Sequence, residues 1–436
     1  MSGQPLVSLC PPAPGSLAAA GLAWTTVRPL ALKHLFVHPA ISPRRLADLL
    51  GLGQMATAAV MRRLLATGDA VFGGSGAATG PDTLSLSEAG RQAAREAFRR
   101  SRYVGPMPVT LGEWRGRAAQ QSPRAGRRRV DFDRAFAGLV VDRAVVDRLG
   151  PAAIDGRSVL LFGPPGNGKR AIAEAFAAAV CEASGPVWMP YAVLIGESVV
   201  TLADSVRHRP VQVHRPRSAG EPDRRYRCVE RPIVTLAADG PPSELRPGSA
   251  AFASTRDGDA AATLAMPDAA AAAGGVLLVD ADRTNPVPCR QLIDAAERAE
   301  CDVALDLTSA TVPIASTVVM TTANAMAATA ALRRARHKVP VLPPTREAFA
   351  RLVDRACRAR SIPLEPQAAG ILFDALYTAR VTRLKGDSAG PRRTPRATDA
   401  ADLVEIAVSI CRFRKQRPTI KPSVLLDAAR QFLPAA

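Results

Sequence analysis

The chain has 436 residues, of which 47% are hydrophobic and 4% aromatic. Because a domain usually takes about 100–200 residues, the length predicts roughly two to four domains, with cores built mainly from Ala, Leu and Val. The net charge of +18 is typical of proteins that bind nucleic acid or acidic membranes. Almost all of it is arginine spread along the whole chain, a bias typical of genome composition, so the charge alone selects no partner class.

The cysteines and the apolar segments exclude two further classes. The seven cysteines are scattered and include no C-x-x-C pair, which favours a reducing compartment over a disulfide scaffold or a zinc site. No apolar run reaches the roughly 18 residues that a membrane helix needs. The first residues carry no basic segment typical of a signal peptide. We therefore expect a cytoplasmic protein without membrane insertion.

The first quarter of the chain predicts a disordered tail and a small helical domain. Residues 1–25 are rich in Pro and Ala and are expected to be disordered. Residues 26–105 predict three helices, two short strands around a Gly-rich tip and a closing helix, which is a winged helix-turn-helix pattern. In the second helix, Ser42 is the expected N-cap, Pro43 the first helical residue and Gly51 the stop.

The rest of the chain predicts a linker, an α/β core and a helical end. Residues 106–135 are polar, basic and weakly periodic, as expected of a linker. Strands and helices alternate over 136–342, which predicts a parallel sheet with helices on both faces. The low-complexity stretch 240–275 within this core is predicted to be a mobile surface loop. Residues 343–436 have helical spacing throughout and predict a C-terminal helical lid.

The segment "LLFGPPGNGKR" contains the spacing G-x-x-x-x-G-K, in the order Gly163, Pro164, Pro165, Gly166, Asn167, Gly168 and Lys169. It follows an apolar strand and opens an Ala-rich helix, the context in which such a loop wraps backbone amides around phosphates. The next residue is normally Ser or Thr, whose hydroxyl binds Mg²⁺. Here it is Arg170, which either presents a second cation to the phosphates, or points away or fills the pocket and leaves a purely structural loop.

A second apolar strand, "GGVLLVDAD", ends in an acidic residue, as a strand does whose Asp holds Mg²⁺ in nucleotide hydrolases. Asp280 is the candidate metal ligand. The following position, where an acid would polarise water, is Ala281. Asp282 takes that role only if the strand end bulges by one residue.

Together these segments resemble AAA+ ATPases, and more narrowly the bacterial chaperone-like ATPases associated with Flp pilus assembly. The ordered set that carries the resemblance is "ALKHLFVH", "LSEAGRQAAREAFRRSRYVGPMPV", "GRSVLLFGPPGNGK", "WMPYAV", "RHRPV" and "LRRARHKV". The resemblance implies an α/β P-loop AAA+ core that binds ATP or ADP, with Lys169 on the phosphates. It also implies assembly as a homo- or hetero-oligomeric ring.

The resemblance assigns the remaining site residues. Asn324, or Thr322 one residue away, becomes the polar sensor near the γ-phosphate. Arg333 and Arg334 supply the arginine that reaches a neighbouring subunit. Ala401 stands where the lid arginine is expected, and Arg396 is too far upstream along the chain to replace it simply.

Arg170, Ala281 and Ala401 thus mark three departures that weaken the same reaction. A lost metal contact and a lost acid each cost about 3–4 kcal/mol in transition-state stabilisation. We expect nucleotide binding with a weak or absent Mg²⁺ site and slow or absent hydrolysis, in an assembly or chaperone-like subunit.

Two alternatives remain open at this point. One is an active ATPase that remodels proteins of a pilus or secretion-type system. The other is a winged-helix DNA-binding regulator with a scaffold ATPase domain. The third helix carries Arg62 and Arg63, but the wing has no Lys or Arg for phosphate contacts, which favours a protein partner for the winged helix over nucleic acid.

Overall fold

The computed structural model describes residues 11–73, 83–125, 130–213, 221–236, 251–252, 264–282, 286–305, 308–323, 333–377 and 394–432. The N-terminal part contains three helices, an antiparallel strand pair and a further helix. These are α1 (Trp24–Val37), α2 (Pro43–Leu50), α3 (Gln54–Ala66), β1 (Ala70–Phe72), β2 (Leu84–Leu86) and α4 (Glu88–Arg100). The tip of the predicted wing, 74–82, lies outside the described residues.

The local signals of α2 act as predicted. The Ser42 side chain accepts a hydrogen bond from the Arg45 amide, Pro43 is the first helical residue, and Gly51 ends the helix with φ of 67°.

The predicted disordered tail is wrong for residues 11–23. The Asp223 amide donates to the Pro11 carbonyl and the Ala13 amide donates to the Glu221 carbonyl, so the start of the described chain pairs with a distant segment. Ala20 and Leu22 are buried in the core of the N-terminal part. Small apolar residues between prolines pack here because they fill narrow spaces at little side-chain entropy cost.

The predicted linker over 106–135 is also wrong. It contains β3 (Val109–Thr110), α5 (Leu111–Gln121), a short 3-10 turn (Pro123–Ala125) and α6 (Phe132–Ala135). Trp114, Ala118 and Gln121 lie at spacings i, i+4 and i+7 and are all buried. One apolar stripe in an otherwise basic helix is enough to fix it against the core.

The central sheet has strand order β16-β4-β15-β12-β9, and each neighbouring pair is parallel. Its strands are β4 (Val159–Phe162), β9 (Ile233–Leu236), β12 (Val276–Asp280), β15 (Thr317–Thr322) and β16 (His337–Pro340). Alternate residues of one strand enter two different cores: Leu277 and Val279 enter one, Val276 and Leu278 the other. Since both faces are buried, the predicted parallel sheet covered on both sides is confirmed. The helices α7 (Arg143–Asp155), α8 (Lys169–Ser184) and α10 (Pro286–Arg298) belong to this region.

A second sheet, of order β10-β11-β7-β6-β3, joins the N-terminal part to the core. Its further strands are β6 (Ala192–Ile195), β7 (Ser198–Thr201), β10 (Ala251–Phe252) and β11 (Leu264–Ala265). Two antiparallel strand pairs lie outside this sheet: β5 (Val187–Pro190) with β8 (Tyr226–Val229), and β13 (Glu300–Leu305) with β14 (Thr308–Pro313). The surface loop predicted for 240–275 is wrong at its end. There, the alanines of α9 (Asp268–Ala271) and those up to Ala273 are buried, because a run of small side chains lets the backbone pack closely against the sheet.

The C-terminal helical domain (residues 343–432) contains α11 (Arg346–Arg358), α12 (Ala368–Tyr377), α13 (Ala397–Phe413) and α14 (Pro422–Phe432). Phe349, Leu372, Leu403 and Leu425 are fully buried in a core of its own. Among the described residues, no helix combines the length and apolar character needed to cross a membrane.

Candidate phosphate-binding site

The glycine-rich loop (residues 163–168) connects β4 to α8 at the carboxyl edge of the central sheet. Gly163, Gly166 and Gly168 all have positive φ, at 143°, 81° and 77°. At Gly163 a side chain is also excluded by space, because a Cβ atom there would lie 2.2 Å from the Val341 carbonyl oxygen. The loop therefore needs glycine at these positions to turn back tightly before α8 begins.

Lys169, the first residue of α8, lies inside the curve of the loop. Its Nζ donates to the Gly163 carbonyl at 2.9 Å and to the Pro164 carbonyl at 3.0 Å. The residue is 8% exposed. Burial lowers the pKa of Lys169, an effect opposed by the charges of Asp282 and Asp280. An ammonium group has three donors, so two hold it in place and one remains for a ligand.

Two carboxylates flank the loop at the end of β12. Asp280 is the last strand residue, and its Oδ1 accepts a hydrogen bond from the Asp282 amide at 3.2 Å. The Asp282 carboxylate in turn accepts from the Thr322 hydroxyl and the Ala323 amide, each at 2.7 Å. The Gly163 amide donates to the Thr322 carbonyl at 3.2 Å. These bonds tie the loop and the ends of β12 and β15 into one unit.

Ala281 does not face this unit. Its amide donates to the Thr321 carbonyl at 2.8 Å, and its methyl group is 5% exposed within the main core. The sequence prediction brought Asp282 to the site only through a bulge in the strand. In the structure β12 ends at Asp280 and the following turn brings the Asp282 carboxylate to the edge of the loop.

Arg170 is engaged on the surface of α8. Its Nε donates to Glu174 at 2.8 Å, and its side chain is 73% exposed. The hydrogen bond to Glu174 raises the pKa of Arg170. Of the two orientations that the sequence left open, this is the one without contact to the loop.

The C-terminal helical domain rests directly on the loop through the first turn of α13. The Ala397 amide donates to Asn167 Oδ1 at 3.2 Å, and the Thr398 amide donates to the Gly166 carbonyl at 3.0 Å. Asn167 is 6% exposed, and its Nδ2 has no hydrogen-bond partner among the described residues. The N-termini of two helices, α8 and α13, thus meet at one loop.

Arg396, the residue before α13, lies beside the loop, although its distance along the chain had argued against a simple replacement of the lid arginine. Its Cβ and Cδ lie 3.2 Å from the position that a Cβ on Gly166 would take. It lies beside Gly166 because α13 begins only at Ala397, directly after it. Asp399 accepts hydrogen bonds from the Arg396 amide at 3.3 Å and the Tyr377 hydroxyl at 2.6 Å. An Asp in the first helical turn was the signal for this start. Ala401 lies one turn further on and is exposed.

The two arginines expected to reach a neighbour differ in their contacts. Arg334 forms an ion pair with Asp294 of α10. Arg333 is exposed and has no hydrogen bond or ion pair to any other described residue. Asn324, the expected sensor, lies outside the described residues, whereas Thr322 binds Asp282 as stated above.

Comparisons with known proteins match part of the chain. A family model described as a domain of unknown function, DUF8689, matches residues 345–431. Solved structures include a RuvB mutant of Thermotoga maritima, with 14% identity over 71% of this chain and 72% of that chain and a TM-score of 0.38. The RuvB Holliday junction branch migration motor of the same organism has 15% identity over 69% of this chain and 70% of that chain, with a TM-score of 0.36.

NtrX from Brucella abortus in complex with ATP gives 13% identity over 70% of this chain and 59% of that chain, with a TM-score of 0.39. No curated protein matches the chain. Because these TM-scores are low, the description of the fold rests on the parallel sheet and the glycine-rich loop of this chain.

Proposed function

We propose that this chain is a nucleotide-binding protein of the AAA+ type that binds ATP or ADP at the glycine-rich loop. The observation that carries the proposal is the buried Lys169 ammonium inside a loop on which two helix N-termini converge. Each helix N-terminus carries a partial positive charge, which favours an anion, although the first two amides of α13 already donate to Asn167 and Gly166. A polyphosphate is the ligand whose charge and shape fit this loop.

The donors of the loop fit phosphate oxygens. Lys169 retains one N–H, and the buried Asn167 Nδ2 has no partner among the described residues. A buried donor without a partner costs about 1–3 kcal/mol, so a phosphate oxygen that accepts from it gains that energy. The bound nucleotide supplies the phosphoanhydride bond, and this chain holds and orients its phosphates.

Magnesium fits the site less well. Within the described ranges no group of three His, Cys, Asp or Glu residues is placed to hold a metal ion. Mg²⁺ usually binds through one or two carboxylates together with phosphate oxygens and water. Asp280 and Asp282 would be those carboxylates, but Arg170 supplies no hydroxyl. We therefore expect Mg²⁺ to add little to nucleotide affinity.

Slow or absent hydrolysis is part of the proposal. Ala281 carries no acid, and the Asp282 carboxylate is occupied by Thr322 and Ala323. The second candidate function is an active ATPase. One observation favours it: these same two bonds fix Asp282 beside the loop, and a catalytic base needs such an orientation.

At the level of the cell, we propose an assembly or chaperone-like subunit of a homo- or hetero-oligomeric ring in the cytoplasm. The N-terminal part, proposed as a winged helix, would bind a protein partner. Arg63 lies over the Trp24 ring with 4.5 Å between its Cζ and the ring centroid, so it is partly engaged within the domain. This contact favours a protein partner over DNA at this helix.

Nucleotide titration tests the binding proposal. Fluorescent ADP and ATP are titrated into the unmodified chain, Lys169→Ala and Lys338→Ala, each in chelator and in excess Mg²⁺. Lys338 is an exposed lysine of the same sheet and is the matched control. We expect Lys169→Ala to weaken binding at least tenfold, about 1.4 kcal/mol, and Lys338→Ala to have no effect. Equal affinities of the three proteins would contradict the proposal, and a gain above tenfold with Mg²⁺ would contradict the weak metal site.

Phosphate release separates the two candidate functions. We expect the unmodified chain to release phosphate at the background rate of Lys169→Ala. If it turns over well above that rate and Asp282→Asn abolishes the excess, the active ATPase replaces our first candidate.

A further inference from the structure

The C-terminal helical domain carries a groove that the nucleotide site does not use. Its volume is about 530 Å³, and it lies between the end of α11 and the end of α13. Six of its ten lining residues have charged or hydroxyl side chains, which are Arg360, Ser361, Glu405, Ser409, Arg412 and Arg417. Three of these six are arginines and only one is acidic, so the groove is polar and basic.

Two cations of this groove, and a third beside it in the sequence, have no acidic partner among the described residues. Arg360 pairs with Glu405, which neutralises the single carboxylate of the lining. Arg412, Lys415 and Arg417 are exposed, and none has a side-chain hydrogen bond or ion pair to another described residue. Arg412 near a helix C-terminus is stabilised by the helix dipole, but Lys415 and Arg417 follow the helix and need another explanation.

A hydrogen-bonded turn at residues 414–415 follows α13 and separates Arg412, in the helix, from Arg417, beyond the turn. The Lys415 amide donates to the Arg412 carbonyl at 3.0 Å and the Gln416 amide donates to the Cys411 carbonyl at 2.9 Å. Lys415 itself has φ of 54°, as in the left-handed residue that ends many helices. The backbone between Cys411 and Gln416 is therefore held by hydrogen bonds.

An exposed aromatic side chain follows Arg412 in the sequence. Phe413 is 89% exposed and lies between Arg412, which has no acidic partner among the described residues, and Arg414, which pairs with Asp427. An exposed aromatic ring beside unpaired cations is the combination with which proteins bind single-stranded nucleic acid, since cations follow the phosphates and the ring stacks on a base.

We propose that this groove binds single-stranded nucleic acid, with Arg412 and Arg417 on the phosphates and Phe413 stacked on a base. An acidic protein segment shares the charge but gives Phe413 no flat partner, and a polar groove offers its apolar side chains little contact. A duplex is disfavoured because its stacked bases present no free face to the ring.

The full chain is tested with fluorescein-labelled 20-nucleotide single strands of mixed sequence, one DNA and one RNA, and with the corresponding DNA duplex. Variants are Arg412→Ala with Arg417→Ala, Phe413→Ala, and the control Arg44→Ala with Arg45→Ala. The control removes the same charge from exposed positions on α2. All substituted residues are exposed, and thermal melting verifies that each variant is folded.

We expect the Arg412/Arg417 variant to bind single strands at least tenfold more weakly at physiological salt. Its salt dependence should fall by about 0.7 in log–log slope for each cation removed. Phe413→Ala should lose about fivefold or more on single strands and leave duplex binding unchanged. DNA and RNA of equal affinity indicate backbone and stacking recognition, whereas a preference for one assigns that nucleic acid as the ligand.

Three results would overturn the proposal. The first is that the unmodified chain binds no single strands. The second is that the α2 control loses as much affinity as the Arg412/Arg417 variant, which would assign binding to the N-terminal part. The third is that the Arg412/Arg417 change abolishes binding of a poly-glutamate peptide and leaves the binding of single strands unaffected. Lys169→Ala should bind single strands normally, so failure of the nucleotide proposal is distinguishable from failure here.

Discussion

At the scale of single residues, the end of β12 decides how the candidate site works. Two neighbouring side chains have opposite environments: Ala281 is in the core and Asp282 is at the loop. The strand motif predicts that the acid that polarises water stands at position 281, where this chain has Ala281. The structure instead brings the second carboxylate to the loop from position 282, so restoring an acid at position 281 would put it inside the core.

Ala281→Glu is therefore expected to destabilise the fold and not to restore hydrolysis. Overpacking a core costs about 1–3 kcal/mol, and an unpaired buried carboxylate adds to this, so we expect a loss of about 3 kcal/mol or more in the free energy of unfolding. Chemical denaturation measures it, with Asp282→Ala as the exposed control expected to lose about 1 kcal/mol. An Ala281→Glu variant as stable as the unmodified chain would contradict the placement of this residue.

Lys33 of α1 gives the N-terminal part a pH dependence. It is 4% exposed, donates to the Ser101 and Tyr103 carbonyls, and burial lowers its pKa from 10.5 to about 8. Between these values the unfolded chain binds a proton that the folded chain lacks, so stability from this group rises with pH. We expect the melting temperature, relative to Lys33→Met, to rise from pH 7.5 to pH 10. A constant difference would show that Lys33 has an ordinary pKa in the folded state.

At the scale of elements, the contact between α13 and the glycine-rich loop is made by backbone amides. Ala397 is the first residue of α13, and Arg396 before it has an extended backbone with φ of −119° and ψ of 145°. This is the conformation that a residue preceding proline prefers, and proline is tolerated at a first helical position. One of the two hydrogen bonds between α13 and the loop can therefore be removed without breaking the helix.

Ala397→Pro removes the N–H that binds Asn167 Oδ1 and should leave the helix intact. We expect a stability change below about 1 kcal/mol together with faster hydrogen exchange at the start of α13 and in the loop. Ala397→Ser retains the N–H and should exchange like the unmodified chain. Unchanged exchange in the proline variant would mean that this bond does not hold the domain to the loop.

Elements with strong local signals were predictable from the sequence, and elements fixed by distant partners were not. Ser42, Pro43 and Gly51 specify α2 by themselves, and the spacing of Phe349, Leu352 and Val353 specifies the buried face of α11. By contrast α5 buries Trp114, Ala118 and Gln121 within an otherwise basic sequence, so charge concealed its apolar stripe. Within the site, the loop and Lys169 follow from the motif. The positions of Asp282 and Arg396 depend on where β12 ends and α13 begins, which the motif does not encode.

At the scale of the whole molecule, the N-terminal part is fastened to the core. Arg224 forms an ion pair with Asp48 of α2, and the Met107 amide donates to the Leu50 carbonyl at 2.8 Å. Gly51 lies so close to this contact that a Cβ would be 3.0 Å from the Arg224 carbonyl carbon. Such close backbone packing holds the N-terminal part against the core.

The two candidate arginines make assembly testable. Arg333 is the one without a partner among the described residues, so we expect Arg333→Ala to weaken self-association and any phosphate release that depends on it, with little change in melting temperature. Arg334→Ala breaks the pair with Asp294 and, as an exposed pair, should cost about 0–1 kcal/mol without affecting association. Sedimentation velocity with and without nucleotide distinguishes them. If Arg334→Ala alone dissociates the oligomer, the roles are reversed.

One helix, α13, begins at the glycine-rich loop and ends at the basic groove. Its 17 residues make a stiff rod of about 25 Å, at 1.5 Å per residue. A ligand that tilts one end of a rod must displace the other end. Thermodynamic linkage requires that the two sites change each other's affinity by the same factor. Whatever factor a nucleotide imposes on affinity at the groove, an occupant of the groove must impose on affinity for the nucleotide, so one titration repeated in both orders measures how far the two ends of α13 communicate.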